Sequence, residues 1–236
     1  MMTTRLVAGS AAEIAKGAFG STVLVVTEDA HGQPLSLGSG FVLRDGVIVT
    51  NMHVIEGASR GYIKQIDSKT KHNIEGILRA DNRHDLAVLS VPSLSAPAVR
   101  LGDSTKLAVG DTVYAVGNPR GLEGTFSQGI ISSVRTFDSE TILQITAPIS
   151  PGSSGGPVLN DRGEVVGVAV ATFKGGQNLN FAVPASYLAG VALAVKPCFV
   201  WLRCHEARIE IAAPRDRRRQ EHRRSDWWPV TLGQWP

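Results

Sequence analysis

The sequence predicts an all-β protein, a barrel or a sandwich. Three observations carry that prediction. Short runs rich in Val, Ile and Thr recur along the chain with turn residues between them, and no long amphipathic helix is evident before Ala185. An apolar content of 43% over 236 residues also supplies a sizeable core. In order, the predicted strands are Thr22 to Val26, Gly40 to Leu43, Val47 to Thr50, Tyr62 to Ile66, Leu86 to Val91 and Thr112 to Val116. Gly129 to Val134, Thr141 to Ile145, Val158 to Asn160, Val165 to Ala171 and Asn180 to Val183 follow. β-branched side chains fit a pleated, half-buried surface, and Gly, Pro, Asn and Asp between the runs supply the turns. The stretch from Pro92 to Gly110 is the connection between two groups of strands.

Composition changes near residue 196. From Lys196 onward the chain carries nine Lys and Arg against five Asp and Glu, whereas residues 1 to 195 carry 15 against 16, so the basic balance lies in the tail. Arg215, Arg217, Arg218, Arg219, Arg223 and Arg224 cluster ahead of Trp227, Trp228 and Trp235. Such a segment is expected to be a solvated, disordered extension; contact with nucleic acid or an acidic membrane surface is the functional alternative. A shifted reading frame would produce the same abrupt change. Cys198 and Cys204 both lie in this tail with five residues between them, which matches no strong zinc pattern even with His205 alongside. The sequence therefore calls for no metal and no cofactor. Residues 1 to 19 contain Arg5, Glu13 and Lys16 and lack a continuous apolar stretch, so the chain as written is expected to stay in the cytoplasm; a truncated start would place it in the cell envelope.

The chemistry concentrates at Pro151-Gly152-Ser153-Ser154-Gly155-Gly156-Pro157. A serine among glycines reads as a nucleophile on a sharp turn whose backbone N–H groups can approach a reacting carbonyl. A serine hydroxyl needs a histidine base and a carboxylate to orient that base. His53 stands at the end of the apolar run Ile48 to Ile55, and Asp85 immediately precedes the run Leu86 to Leu89, where an acid at a buried border needs a partner. Taken singly each residue is an ordinary strand boundary; together they point to a triad. Gly152, Ser154 and Gly156 also fit the G-x-S-x-G elbow of α/β-hydrolases, in which acid and base follow the serine. Here only His205 and His222 follow it, and the order His53, Asp85, Ser154 is that of the chymotrypsin class.

With these residues the chain resembles trypsin-fold serine proteases of the HtrA/Deg type. The resemblance runs through Gly38 to Val42, Thr50 to Ile55, Asp85 to Leu89, Gly117 to Leu122, Ser127 to Ser132, Gln144 to Ile149, the Ser154 run and Asn180 to Pro184, covering roughly residues 20 to 188. It implies two six-stranded β-barrels, over about residues 20–98 and 105–188, with the active site in the cleft between them and a protease domain spanning 20–195. Residues 1–19 would be an N-terminal segment, with Phe19 the nearby aromatic available for trimer contacts. The resemblance also implies an oxyanion hole formed by the N–H groups of Gly152 and Ser154, with Ser153 as spacer where Asn is usual; Thr146 stands where Asp is common. Pro148, six residues before the nucleophile, replaces the acid of Lys- or Arg-specific trypsins. Ile149, Thr172 and Phe173 fall at the family's pocket positions and imply cleavage after small or medium apolar residues. The expected activity is endopeptidase action on unfolded or damaged polypeptides. A latent protease-fold module that binds exposed peptides is the alternative. The family's common PDZ domain would not fit in the roughly 40 residues after Val195.

Overall fold

The computed structural model describes residues 9–118, 124–137, 140–172 and 179–188, all within the compact unit Met1–Leu202. The predicted tail, including Cys198, Cys204 and His205, lies outside the described residues. A helix opens the fold: α1, Ala11–Ser21. Ser10 caps it, its hydroxyl accepting from the Glu13 N–H at 3.3 Å while the Glu13 carboxylate accepts from the Ser10 N–H at 2.9 Å. That reciprocal pair is a capping box at the start of an 11-residue helix that the strand pattern did not include. Of its apolar residues Ile14 and Ala18 are buried and Ala11 and Phe19 pack partly against the same core, so hydrophobic periodicity is faint and the Ser10-x-x-Glu13 cap is the stronger signal.

The first half forms an antiparallel seven-stranded sheet from β1 (Thr22–Glu28), β2 (Pro34–Arg44), β3 (Val47–Thr50), β4 (Arg60–Gln65), β5 (His72–Asn73), β6 (Gly76–Asp81) and β7 (Leu86–Ser90). A one-turn helix, α2 (Met52–Ile55), sits between β3 and β4. The strand order is β5-β4-β1-β2-β3-β7-β6. Six strands were expected, and the seventh arises because one segment bends in two. At the bend the Ile74 N–H donates to the Gly61 carbonyl of β4 at 3.0 Å and the Glu75 N–H to the Ser90 carbonyl of β7 at 2.9 Å. β5 and β6 are thus two arms of one strand joining opposite edges of the sheet. The second half is a closed six-stranded barrel in the order β10-β13-β12-β11-β8-β9. Its strands are β8 (Thr112–Gly117), β9 (Thr125–Phe137), β10 (Glu140–Ile145), β11 (Pro157–Leu159), β12 (Val165–Thr172) and β13 (Asn180–Pro184). The protein therefore has the trypsin-like double-barrel architecture. Residues 92–110 connect the halves, with a short 3₁₀ turn at Ser104–Lys106.

Strand alternation explains how the halves adhere. Val42, Ile48, Ala87 and Leu89 point into the first core, and Val113, Ala115, Ile131 and Val158 into the second. Their neighbours Phe41, Val49, Leu86, Val88, Tyr114, Val116 and Leu159 point the other way and share one apolar seam with Ile14 and Ala18 of α1. Strands covered on both faces read as unbroken apolar runs, which is how Val47 to Thr50 and Leu86 to Leu89 look in the sequence. Phe19, the aromatic expected to face neighbouring copies, packs edge-on against Phe126 of its own chain at 6.4 Å, and Phe126 stacks on Tyr114. Among the described residues no helix is long and apolar enough to cross a membrane.

Phe41 is fully buried in the seam. Phe41→Ala is expected to lower the unfolding free energy by about 3–5 kcal/mol while leaving a single urea transition. Two separated transitions would show that the halves fold independently.

Candidate active site

The chain leaves β3 fully buried and turns at once into α2, which carries His53. Asp85 arrives from the turn between β6 and β7, and its backbone takes the left-handed conformation at φ 53°. A non-glycine residue there is strained, and four hydrogen bonds hold it. Its carbonyl accepts from the Asn51 side-chain amide at 2.8 Å and from the Met52 N–H at 3.1 Å. Its carboxylate accepts from the His53 backbone N–H at 2.9 Å and lies 2.6 Å from His53 Nδ1. The imidazole is about a quarter exposed and the carboxylate nearly buried. With Nδ1 against a carboxylate, the ring proton belongs on Nδ1, and Nε2 carries the lone pair of a base.

Ser154 lies in the loop that precedes β11. The loop is pinned internally by Ser153 N–H to the Ser150 carbonyl at 2.8 Å and Gly156 N–H to the Ser153 carbonyl at 3.0 Å. It is pinned to the first half by Ser39. The Ser39 N–H donates to the Ser154 carbonyl at 2.8 Å, and its hydroxyl donates to the Gly152 carbonyl at 2.7 Å while accepting from the Asn118 N–H at 2.9 Å. Thr50 in turn donates its hydroxyl to the Ser39 carbonyl at 2.7 Å. A methyl placed on Gly38 would sit 2.7 Å from the Val54 side chain and 3.2 Å from the Ser154 carbonyl oxygen. The helix residue next to His53 and the backbone of Ser154 therefore flank one glycine.

His53 and Asp85 are paired directly. The Ser154 hydroxyl donates instead to the Val170 carbonyl at 3.0 Å, and among the described residues it makes no hydrogen bond to His53. Gly152 has φ 96°, and among the described residues neither its N–H nor that of Ser154 meets a protein acceptor. Of the pocket positions, Ile149 is half-buried against the second core, Thr172 ends β12 paired with Asn180, and Phe173 lies outside the described residues. Thr146, in place of an acid, accepts from the Ile130 N–H at 2.9 Å.

Ser39, Thr50, Asn51 and Asn118 are the structural members of the site whose roles sequence reasoning missed. The flanking glycines of Gly38-Ser39-Gly40 were the available signal, since small neighbours mark a place where other backbone comes close.

The model of the trypsin-like peptidase domain family matches residues 38–168, more than half of the chain. The chain belongs to that family, as an HtrA-type protease domain. It is 40% identical over 165 residues to a putative serine protease HhoB of Synechocystis sp. (strain ATCC 27184 / PCC 6803 / Kazusa), covering 66% of this chain and 39% of that one. It is 41% identical over 166 residues to a probable periplasmic serine endoprotease DegP-like of Halomonas elongata, covering 66% and 34%. Among solved structures it superposes on an HtrA-type protease AlgW with tripeptide at a TM-score of 0.70 and 30% identity, covering 78% of this chain and 62% of that one. A serine endoprotease from Yersinia pestis gives 0.69 at 30% identity, covering 79% and 66%. The chain thus spans well under half the length of these sequence relatives.

The glycines of the HtrA-type loop have a steric reason. Gly155 has φ 85°, and a Cβ there would collide with the Ser39 carbonyl and the Thr50 hydroxyl. Gly155→Ala should destabilise the domain by roughly 2–5 kcal/mol, backbone strain and overpacking combined, read as a lowered urea midpoint. A midpoint equal to wild type would contradict this packing.

Proposed function

We propose that this domain is a serine endopeptidase acting through Ser154, His53 and Asp85. The observation that carries the reading is the Asp85–His53 pair, whose contact through Nδ1 leaves Nε2 for the serine proton. In the working cycle the Ser154 hydroxyl turns from the Val170 carbonyl to His53 Nε2, gives up its proton there and attacks the substrate carbonyl. The N–H groups of Gly152 and Ser154 receive the developing oxyanion. Imidazolium then protonates the leaving amine, and water activated by the same imidazole releases the acyl group from Ser154. Asp85 stabilises the imidazolium throughout.

Substrates in this reading are unfolded or damaged polypeptides. Ile149, Thr172 and Phe173 would receive a small or medium apolar side chain before the cleaved bond. Relatives named as periplasmic endoproteases support the cell-envelope alternative over the cytoplasmic one. Assembly into a homo-oligomer, a trimer by the resemblance, belongs to the same proposal.

Ser154→Ala should keep the fold by circular dichroism and lose casein hydrolysis by about 10⁶-fold, to the assay floor. Casein cleaved at the same rate by both proteins would refute the role of Ser154.

A further inference from the structure

The residue before the acid, His84, bridges the two halves of the protein. Its Nδ1 lies 2.7 Å from Asp81 Oδ2 in the same turn, and its Nε2 lies 2.5 Å from Glu140 Oε2 at the start of β10. The other Glu140 oxygen pairs with the Arg83 guanidinium. The ring stacks on Tyr187, centroids 3.8 Å apart, and the Tyr187 hydroxyl accepts from the Thr141 N–H at 2.8 Å. Among the described residues, the titratable and charged groups around this imidazole are therefore Asp81 and Arg83 from its own turn, Glu140 from β10 and Tyr187 from beyond β13.

Both ring nitrogens face carboxylate oxygens. A neutral imidazole has one N–H and would aim a lone pair at the other carboxylate, whereas imidazolium donates to both. Two cations and two carboxylates then balance in a site where the ring is only 17% exposed. The backbone leaves this ring directly into strained Asp85.

We propose that His84, as imidazolium, is a positioning residue that straps the Asp85 turn to β10 and so keeps Asp85 aligned on His53. This rests on the triad reading above. Loss of either carboxylate contact loosens the turn and lowers turnover without touching substrate. The Asp81 contact is itself acid-sensitive. Burial pushes the Asp81 carboxyl up, but hydrogen bonds from the His84 ring and backbone, the His84 charge and the Arg83 N–H hold it below its ordinary value. Its contribution is present above the ordinary aspartate range and is lost only as pH falls through the lowered value.

The test is kcat and KM on a fluorogenic peptide from about pH 6 to pH 10 for wild type, His84→Gln, Glu140→Gln and the double variant, with Ser154→Ala as blank. Each single variant should lose roughly three- to thirtyfold in kcat at its maximum, with KM held, and the double variant should be no worse than the singles. Wild-type kcat in either variant overturns the proposal, whatever happens to thermal stability. If a variant does not fold, nitrogen-15 shifts of the His84 ring in wild type near neutral pH decide: two protonated nitrogens support the strap, one overturns it. A wild type no more active than Ser154→Ala instead refutes the triad reading, and the ring shifts still judge the strap.

Discussion

The whole site depends on how closely two backbones approach at Ser39. One serine of β2 gives its N–H to the Ser154 carbonyl and its hydroxyl to the Gly152 carbonyl, and it takes the Asn118 N–H from the end of β8. Turning the Gly152 carbonyl toward Ser39 leaves the surrounding N–H groups to face elsewhere. An oxyanion site made of backbone needs such an arrangement, because its donors must be fixed before charge develops. The apolar seam around Phe41, Val49, Tyr114 and Val116 sets the distance between the halves, and the glycines on both sides of the joint make that distance reachable.

Strain at Asp85 fits the same economy. A left-handed aspartate destabilises the fold by on the order of 1–3 kcal/mol, and the four hydrogen bonds on its carbonyl and carboxylate offset that. Two of them come from His53 itself, so the contacts that keep the acid in place also fix the imidazole tautomer. His84 extends the arrangement outward. Folding geometry and the proposed catalytic geometry are here set by one group of contacts.

The all-β class and eleven of the strands were legible because β-branched runs buried on one or both faces stand out between turn residues. The pairing of His53 with Asp85 was legible as two side-chain types whose chemistry makes sense together. β5 and β6 were not, since His72-Asn73 and Gly76 to Asp81 mix charge, glycine and apolar residues in a short bent segment that tertiary contacts hold. α1 was hidden by its faint hydrophobic periodicity. Contacts such as Ser39 to Gly152 and His84 to Glu140 join residues far apart in the chain, and no local pattern encodes them. The glycines near Ser154 were read as permitting a sharp turn; that Gly155 and Gly156 are also pressed against Ser39, Thr50 and Val116 is a contact no local pattern shows.

The central claim is that His53 and Asp85 activate one particular hydroxyl. Fluorophosphonate labelling followed by peptide mapping measures this directly. The account predicts a single adduct on Ser154, formed by wild type and lost in His53→Ala. Wild type without an adduct, or an adduct on another residue, would contradict it.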